Sequence, residues 1–172
     1  ELIAFNNRID EFEKRNVQVL GCSVDSHFSH LKWKELDTNN GGIGNVGYPL
    51  LSDITKSISR SYDVLLGATE AYVETEDEGE TTTVGGGVAL RGSFLIDEKG
   101  LVRHEIKNDL PLGRNIDEML RLIDALDFHN EHGEVCPAGW NKGDDGMSPS
   151  DEGMKKYISE NGKILPSRIT NI

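Results

Sequence analysis

Across the first 128 positions apolar residues fall alternately at helical spacing and in short extended runs, and this alternation most limits what the chain can fold into. Leu2, Phe5, Ile9 and Phe12 share one helical face, with Arg8, Asp10, Glu11, Glu13, Lys14 and Arg15 on the rest of the surface. The run Val17 to Val24 is β-rich and mostly apolar, as a strand covered on both faces should be. Asp25 or Ser26 then caps a helix carrying Phe28, Leu31 and Trp33 to about Leu36. An Asn/Gly-rich loop follows, then a short strand at Tyr48-Pro49-Leu50-Leu51 and a short helix through Ile54, Ile58 and Tyr62. Arg91 to Asp97 and Leu101 to Lys107 read as a hairpin closed by Asp97-Glu98-Lys99-Gly100, and Asn115 caps a helix with Ile116, Met119, Leu120, Ile123 and Leu126 inward. A helix, then βαβα, then ββα: the order predicts an α/β domain.

The order suggests a sheet of thioredoxin type seen without its first strands. After Phe128 the periodicity fades into a Gly/Asp/Ser/Pro-rich stretch with one helical piece, Glu152 to Glu160, which predicts an extended arm. The expected division is therefore a domain over 1–128 and an arm over 129–172. Eighteen Lys and Arg against 30 Asp and Glu leave a net charge of −12, which disfavours nucleic acid and anionic lipid as partners. Six of those acids, Glu70, Glu74, Glu76, Asp77, Glu78 and Glu80, stand in a stretch without Lys or Arg, so 68–87 reads as a solvated acidic insertion. No long apolar run occurs and the sequence opens on Glu1-Leu2-Ile3 rather than a basic-then-apolar leader, so neither a membrane span nor a signal peptide is expected and the expected location is cytoplasmic.

Two cysteines 114 positions apart form no CxxC pair, so each is judged alone. Cys22 lies inside the extended run and is expected to be a small core residue. Cys136, between Gly133 and Pro137-Ala138-Gly139, lies off any apolar face and is expected to be accessible, the alternative being an inert buried thiol. His129, His132 and Cys136 also have metal-ligand spacing, without an evident fourth ligand. His27 and His30 form a second i, i+3 pair, expected to face solvent.

The run His132-Gly133-Glu134-Val135-Cys136-Pro137-Ala138-Gly139-Trp140 resembles the resolving-cysteine motif of typical 2-Cys peroxiredoxins, the alkyl hydroperoxide reductase C group. Val88 to Asp97 resembles the family's strand bearing the active-site Arg, here Arg91, and Asn108 to Arg114 its second Arg-bearing loop. Gly21 to Ser26 and Gly41-Gly42-Ile43-Gly44 match as well. The resemblance implies a thioredoxin-like fold of peroxiredoxin type, with a central mixed sheet, flanking helices and an extended C-terminal arm. It implies a thiol-dependent peroxidase that reduces hydrogen peroxide and organic hydroperoxides through a sulfenic acid and an intersubunit disulfide, without a cofactor. Its implied partners are a thioredoxin-like or flavoprotein disulfide reductant and further copies of itself, as homodimers assembling into a ring. The implied catalytic residues are Cys136 as resolving thiol, Arg91, and behind it Glu1 and Arg114, with Glu1 holding the guanidinium in place by a charge-assisted pair.

One departure is large. The family's peroxidatic cysteine lies in a Val-Cys-Pro-Thr-Glu motif, and Glu1 resembles the last residue of that motif, so an N-terminal part carrying the nucleophile is expected ahead of it. The family's Tyr-Phe pair in the terminal helix is here Tyr157-Ile158. Arg91 pairing with an acid, or Arg114 only positioning the next helix, are the plain structural alternatives, and a redox-triggered ring-forming holdase is the competing function.

Overall fold

Helix and strand alternate as the sequence predicts, but in shorter pieces. The computed structural model describes residues 1–66 and 87–162, so the acidic 68–87 stretch lies outside the described residues except for Gly87. The chain divides into two compact units, Glu1–Met119 and Leu120–Ile172.

In the first unit the expected N-terminal helix is two five-residue helices, α1 (Leu2–Asn6) and α2 (Ile9–Glu13). The break falls at Arg8, whose backbone (φ −119°, ψ 13°) is not helical. Its guanidinium is drawn instead into ion pairs with Glu11 and with Asp117, the latter at 2.7 Å. The predicted apolar face survives the break. Phe12 is buried, and Leu2, Phe5 and Ile9 pack against a buried cluster of Ile43, Val46 and Tyr48. Burying a side chain fully, as for Phe12, stabilises the unit by about 1.5–3 kcal/mol, and the partly buried Leu2, Phe5 and Ile9 contribute less.

The strand expected over Val17 to Val24 narrows to β1 (Gly21–Ser23), paired in parallel with β2 (Leu50–Ser52), Cys22 opposite Leu51. Cys22 is exposed, as is Leu20, which corrects the expectation of a core cysteine in a strand covered on both faces. Its ladder partner Leu51 is exposed as well, so among the described residues this face of the β1–β2 pair carries no covering layer.

Between β1 and β2 run α3 (His27–Glu35), capped by the Ser26 side chain accepting from the Ser29 N–H, and a one-turn 3₁₀ helix at Thr38–Asn40. His30, expected in solvent, is buried at 5 % exposure with Nε2 2.7 Å from Ser23 Oγ, while Phe28 and Leu31 of the same helix point outward. Helical spacing identified the helix, but the hydroxyl on β1 decided which face turned inward. In the glycine loop a Cβ at Gly42 would sit 2.0 Å from the Leu36 carbonyl oxygen, and Gly41 has φ +82°, so both positions need glycine on backbone grounds alone.

Asp53 follows β2 and is buried. Its carboxylate accepts the N–H groups of Ile58 and Ser59, holding the first turn of α4 (Ser57–Ser61). Burial alone would raise its pKa, yet the hydrogen bonds from Ser59, Ile58 and Ser57 outweigh it and keep the carboxyl below its ordinary value. β3 (Leu65–Leu66) and β4 (Val88–Ala89) pair antiparallel, as do β5 (Arg91–Ile96) and β6 (Val102–Asn108), whose turn is the predicted one: Asp97 Oδ1 accepts the Lys99 and Leu101 N–H groups. The α/β class therefore holds, with the described ladders forming three two-stranded sheets, one parallel and two antiparallel.

Asn115 caps α5 (Ile116–His132) as predicted, its side chain accepting from the Glu118 N–H, and the helix runs one turn beyond Phe128. The second unit continues with a loop, a bridge between Val135 and Met147, and α6 (Asp151–Asn161). No helix among the described residues is long and apolar enough to cross a membrane.

Candidate active site

The start of α1, the start of β5 and the loop before α5 lie far apart in sequence and meet at one carboxylate. Glu1 Oε1 accepts both the backbone N–H and the side-chain Nε–H of Arg114, each at 2.8 Å, while Arg91 Nε stands 3.5 Å from Glu1 Oε2. Arg114 Nη1 also donates to the Gly92 carbonyl at 3.0 Å, and its guanidinium lies over the Phe5 ring at 5.7 Å from the centroid. The two arginines are thus held differently. Arg114 is fastened on three sides and 21 % exposed, whereas Arg91 touches the carboxylate at one nitrogen and is 46 % exposed.

The hydrogen bond from the Arg114 side chain outweighs burial of the carboxyl and, with the Arg114 N–H and both guanidinium charges, lowers the Glu1 pKa from 4.5 to about 2. Because the folded value is depressed, the stability this group contributes is complete above about pH 4.5 and is lost as the pH falls toward 2. Glu1→Gln is therefore expected to cost about 1–2 kcal/mol at neutral pH, discounted for the partial exposure of the carboxylate. In urea melts of the two proteins the gap should close on acidification. A gap that stayed constant down to about pH 3 would mean that the pair contributes no charge-dependent stability.

The second unit holds the other cysteine. Cys136 is partly buried rather than open, with Sγ donating to the Ala125 carbonyl of α5 at 3.4 Å. Its loop is an ordered piece of structure. Val135 and Met147 exchange backbone hydrogen bonds, Trp140 is buried with its ring centroid 5.0 Å from that of Phe128, Arg121 donates to the Trp140 carbonyl, and Lys142 pairs with the buried Asp124 at 3.0 Å. No local period reveals these anchors, because Val135 pairs across the loop with Met147 and the others join the loop to α5. Burial raises the Cys136 thiol pKa against the opposing pull of Arg121. It is then mostly thiol at neutral pH, unlike a cysteine that attacks peroxide as thiolate. Cys22 is held up as well, first by partial desolvation of its sulfur and then by Asp53.

The histidines do not assemble a metal site around Cys136. His129 Nδ1 lies 2.7 Å from the Glu134 carbonyl oxygen, His132 Nδ1 is 3.2 Å from that of Phe128, and the His132 ring stacks on Phe128. Among the described residues no group of three His, Cys, Asp or Glu side chains is placed to hold a metal ion.

An α/β domain with paired guanidiniums around one carboxylate, and a separate unit carrying a shielded thiol, fits the thioredoxin-like thiol peroxidases as a class. Comparison with known proteins agrees. The AhpC/TSA family matches residues 1–105 and the C-terminal domain of 1-Cys peroxiredoxin matches residues 125–160. Alkyl hydroperoxide reductase C of Helicobacter pylori is 50% identical over 161 residues, covering 94% of this chain and 72% of that protein. The mitochondrial thioredoxin-dependent peroxide reductase of Drosophila melanogaster is 49% identical over 164 residues, 94% of this chain and 63% of that one. The reduced crystal structure of Plasmodium vivax 2-Cys peroxiredoxin superposes with a TM-score of 0.81 at 46% identity, covering 92% of this chain and 73% of that one. The chain belongs to the AhpC/TSA family and, within it, to the peroxiredoxins that act as thiol-dependent, antioxidant peroxidases.

Proposed function

We propose that Arg91, Glu1 and Arg114 form the peroxide-binding side of the active site and that Cys136 is the resolving thiol. The meeting of both arginines on one carboxylate carries this reading. The attacking sulfur in this reading is the cysteine of the Val-Cys-Pro-Thr-Glu motif whose glutamate Glu1 resembles. Its thiolate attacks one peroxide oxygen, the O–O bond breaks, and the leaving oxygen takes a proton, giving a sulfenic acid and water or an alcohol. Arg91, engaged with Glu1 only through Nε, has its terminal nitrogens free of that pair to bind the peroxide oxygens and the charge growing on the leaving one. The Arg91 guanidinium and the N-terminal end of the helix carrying Glu1 together support the thiolate. Cys136 of a partner subunit then condenses with the sulfenic acid, forming a disulfide and releasing water, and a dithiol reductant of thioredoxin or flavoprotein type returns both thiols.

In this division of labour the 1–128 domain binds peroxide and the 129–172 arm delivers the second sulfur. Assembly into dimers and rings of dimers is part of the proposal, supported by exposed large apolar side chains such as Phe28, Leu31 and Ile54. A cytoplasmic location is part of the proposal, since a cycle that returns both thiols needs a reducing compartment. Relatives named as peroxidases favour turnover over a holdase without it. Protein carrying Val-Cys-Pro-Thr ahead of Glu1 is expected to consume hydrogen peroxide in multiple turnovers with a dithiol reductant. Suppression of client aggregation without turnover would favour the holdase.

A further inference from the structure

We propose that Tyr48 and Asn6 are positioning residues for the peroxide site, clipping α1 to the loop before β2 so that Glu1 stands where it grips Arg114 and Arg91. The inference rests on the reading of those three residues as the site. Backbone hydrogen bonds within a helix do not fix where it sits against its neighbours. The Glu1 carboxylate makes no bond to its own helix and is engaged by the arginines instead. Packing of Leu2 and Phe5 on Ile43, Val46 and Tyr48 sets the depth of the helix. Apolar contact is non-directional, however, and leaves roll and slide open.

Two directional bonds close that freedom. The Tyr48 hydroxyl donates to the Leu2 carbonyl at 2.7 Å, one residue from Glu1, and the Gly47 N–H donates to Asn6 Oδ1 at 2.6 Å, at the last residue of the helix. Both partners come from adjacent positions of one loop. Tyr48 is 2 % exposed, so its ring is a rigid post, and burial pushes its phenol up to about 12, keeping it a donor throughout the working range. Two anchors at opposite ends of a single turn fix its rotation, and the rotation of α1 decides where the Glu1 carboxylate points.

Two measurements test the clip. In the 172-residue chain labelled with carbon-13 at the glutamate carboxyls, Tyr48→Phe is expected to raise the Glu1 titration midpoint by about one unit, because a looser carboxylate spends less time on Arg114. Tyr62→Phe, which removes a phenol hydroxyl away from α1, should leave that midpoint in place. Asn6→Leu should act like Tyr48→Phe, and Asn6→Asp, which keeps an acceptor for the Gly47 N–H, should restore it. In protein with Val-Cys-Pro-Thr ahead of Glu1, Tyr48→Phe should slow the reaction with hydrogen peroxide about tenfold. An unmoved midpoint in both Tyr48→Phe and Asn6→Leu overturns the clip. A moved midpoint with an unchanged peroxide rate, in protein that Arg91→Lys does slow, overturns its role in the reaction. If Arg91→Lys has no effect either, the site assignment itself fails, independently of what the titration reports.

Discussion

Arg91→Lys is expected to lower the rate constant for reaction with hydrogen peroxide about 100-fold in protein carrying Val-Cys-Pro-Thr ahead of Glu1, the scale on which removing one preorganised donor slows an enzyme. The structure explains why the loss is chemical rather than structural. Arg91 is half exposed, begins β5, and touches Glu1 only at 3.5 Å, so little of the fold depends on it. A lysine at the same place keeps the charge but loses the planar fork that holds two oxygens in a fixed geometry. The thermal midpoint should accordingly move by no more than a few degrees. Arg114 differs, since its side chain bonds Glu1 and the Gly92 carbonyl, and its replacement should damage stability and rate together. A peroxide rate constant unchanged in Arg91→Lys, measured by stopped-flow tryptophan fluorescence, removes Arg91 from the site.

Cys136→Ser is expected to abolish disulfide-linked dimers after oxidation and to end turnover with a dithiol reductant, while a single equivalent of peroxide is still consumed. The raised thiol pKa and the Sγ to Ala125 contact describe a sulfur kept quiet until an electrophilic partner reaches it. Condensation with a sulfenic acid, like the first attack on peroxide, runs through the thiolate, so Cys136 gives up its proton as the S–S bond forms and water leaves. Cys22, also held up in pKa and placed in the other unit, is not expected to replace it, so Cys22→Ser should leave the dimers intact. Non-reducing electrophoresis reads both results. Disulfide dimers that persist in Cys136→Ser, or vanish in Cys22→Ser, reverse the assignment.

Where a sequence signal was local, the structure follows it closely. Asn115 caps α5, Ser26 caps α3, and Asp97 organises the β5–β6 turn, because each of these bonds spans four residues or fewer. The apolar spacing of Leu2, Phe5, Ile9 and Phe12 likewise identified a face that packs inward, although the helix beneath it is broken at Arg8. The structure departs from the expectation where a partner on another element decides. His30 turned inward to reach Ser23, and Cys22 is exposed because the ladder of β1 and β2 leaves one face uncovered.

The site divides the same way. The resemblance of the chain's ordered motifs to the family pointed to the proposed site residues Arg91, Arg114, Glu1 and Cys136 and to the peroxidase chemistry, and the order of helices and strands pointed to the α/β class. It carried no information on how tightly each is held. That Arg114 is fastened on three sides while Arg91 is not, that Tyr48 and Asn6 pin the turn bearing Glu1, and that Cys136 is docked on Ala125 are products of tertiary structure. The physical reason is range. Hydrophobic period and capping are set by neighbours a few residues apart, whereas a hydrogen bond between residues 46 or 113 positions apart exists only once the chain between them has folded.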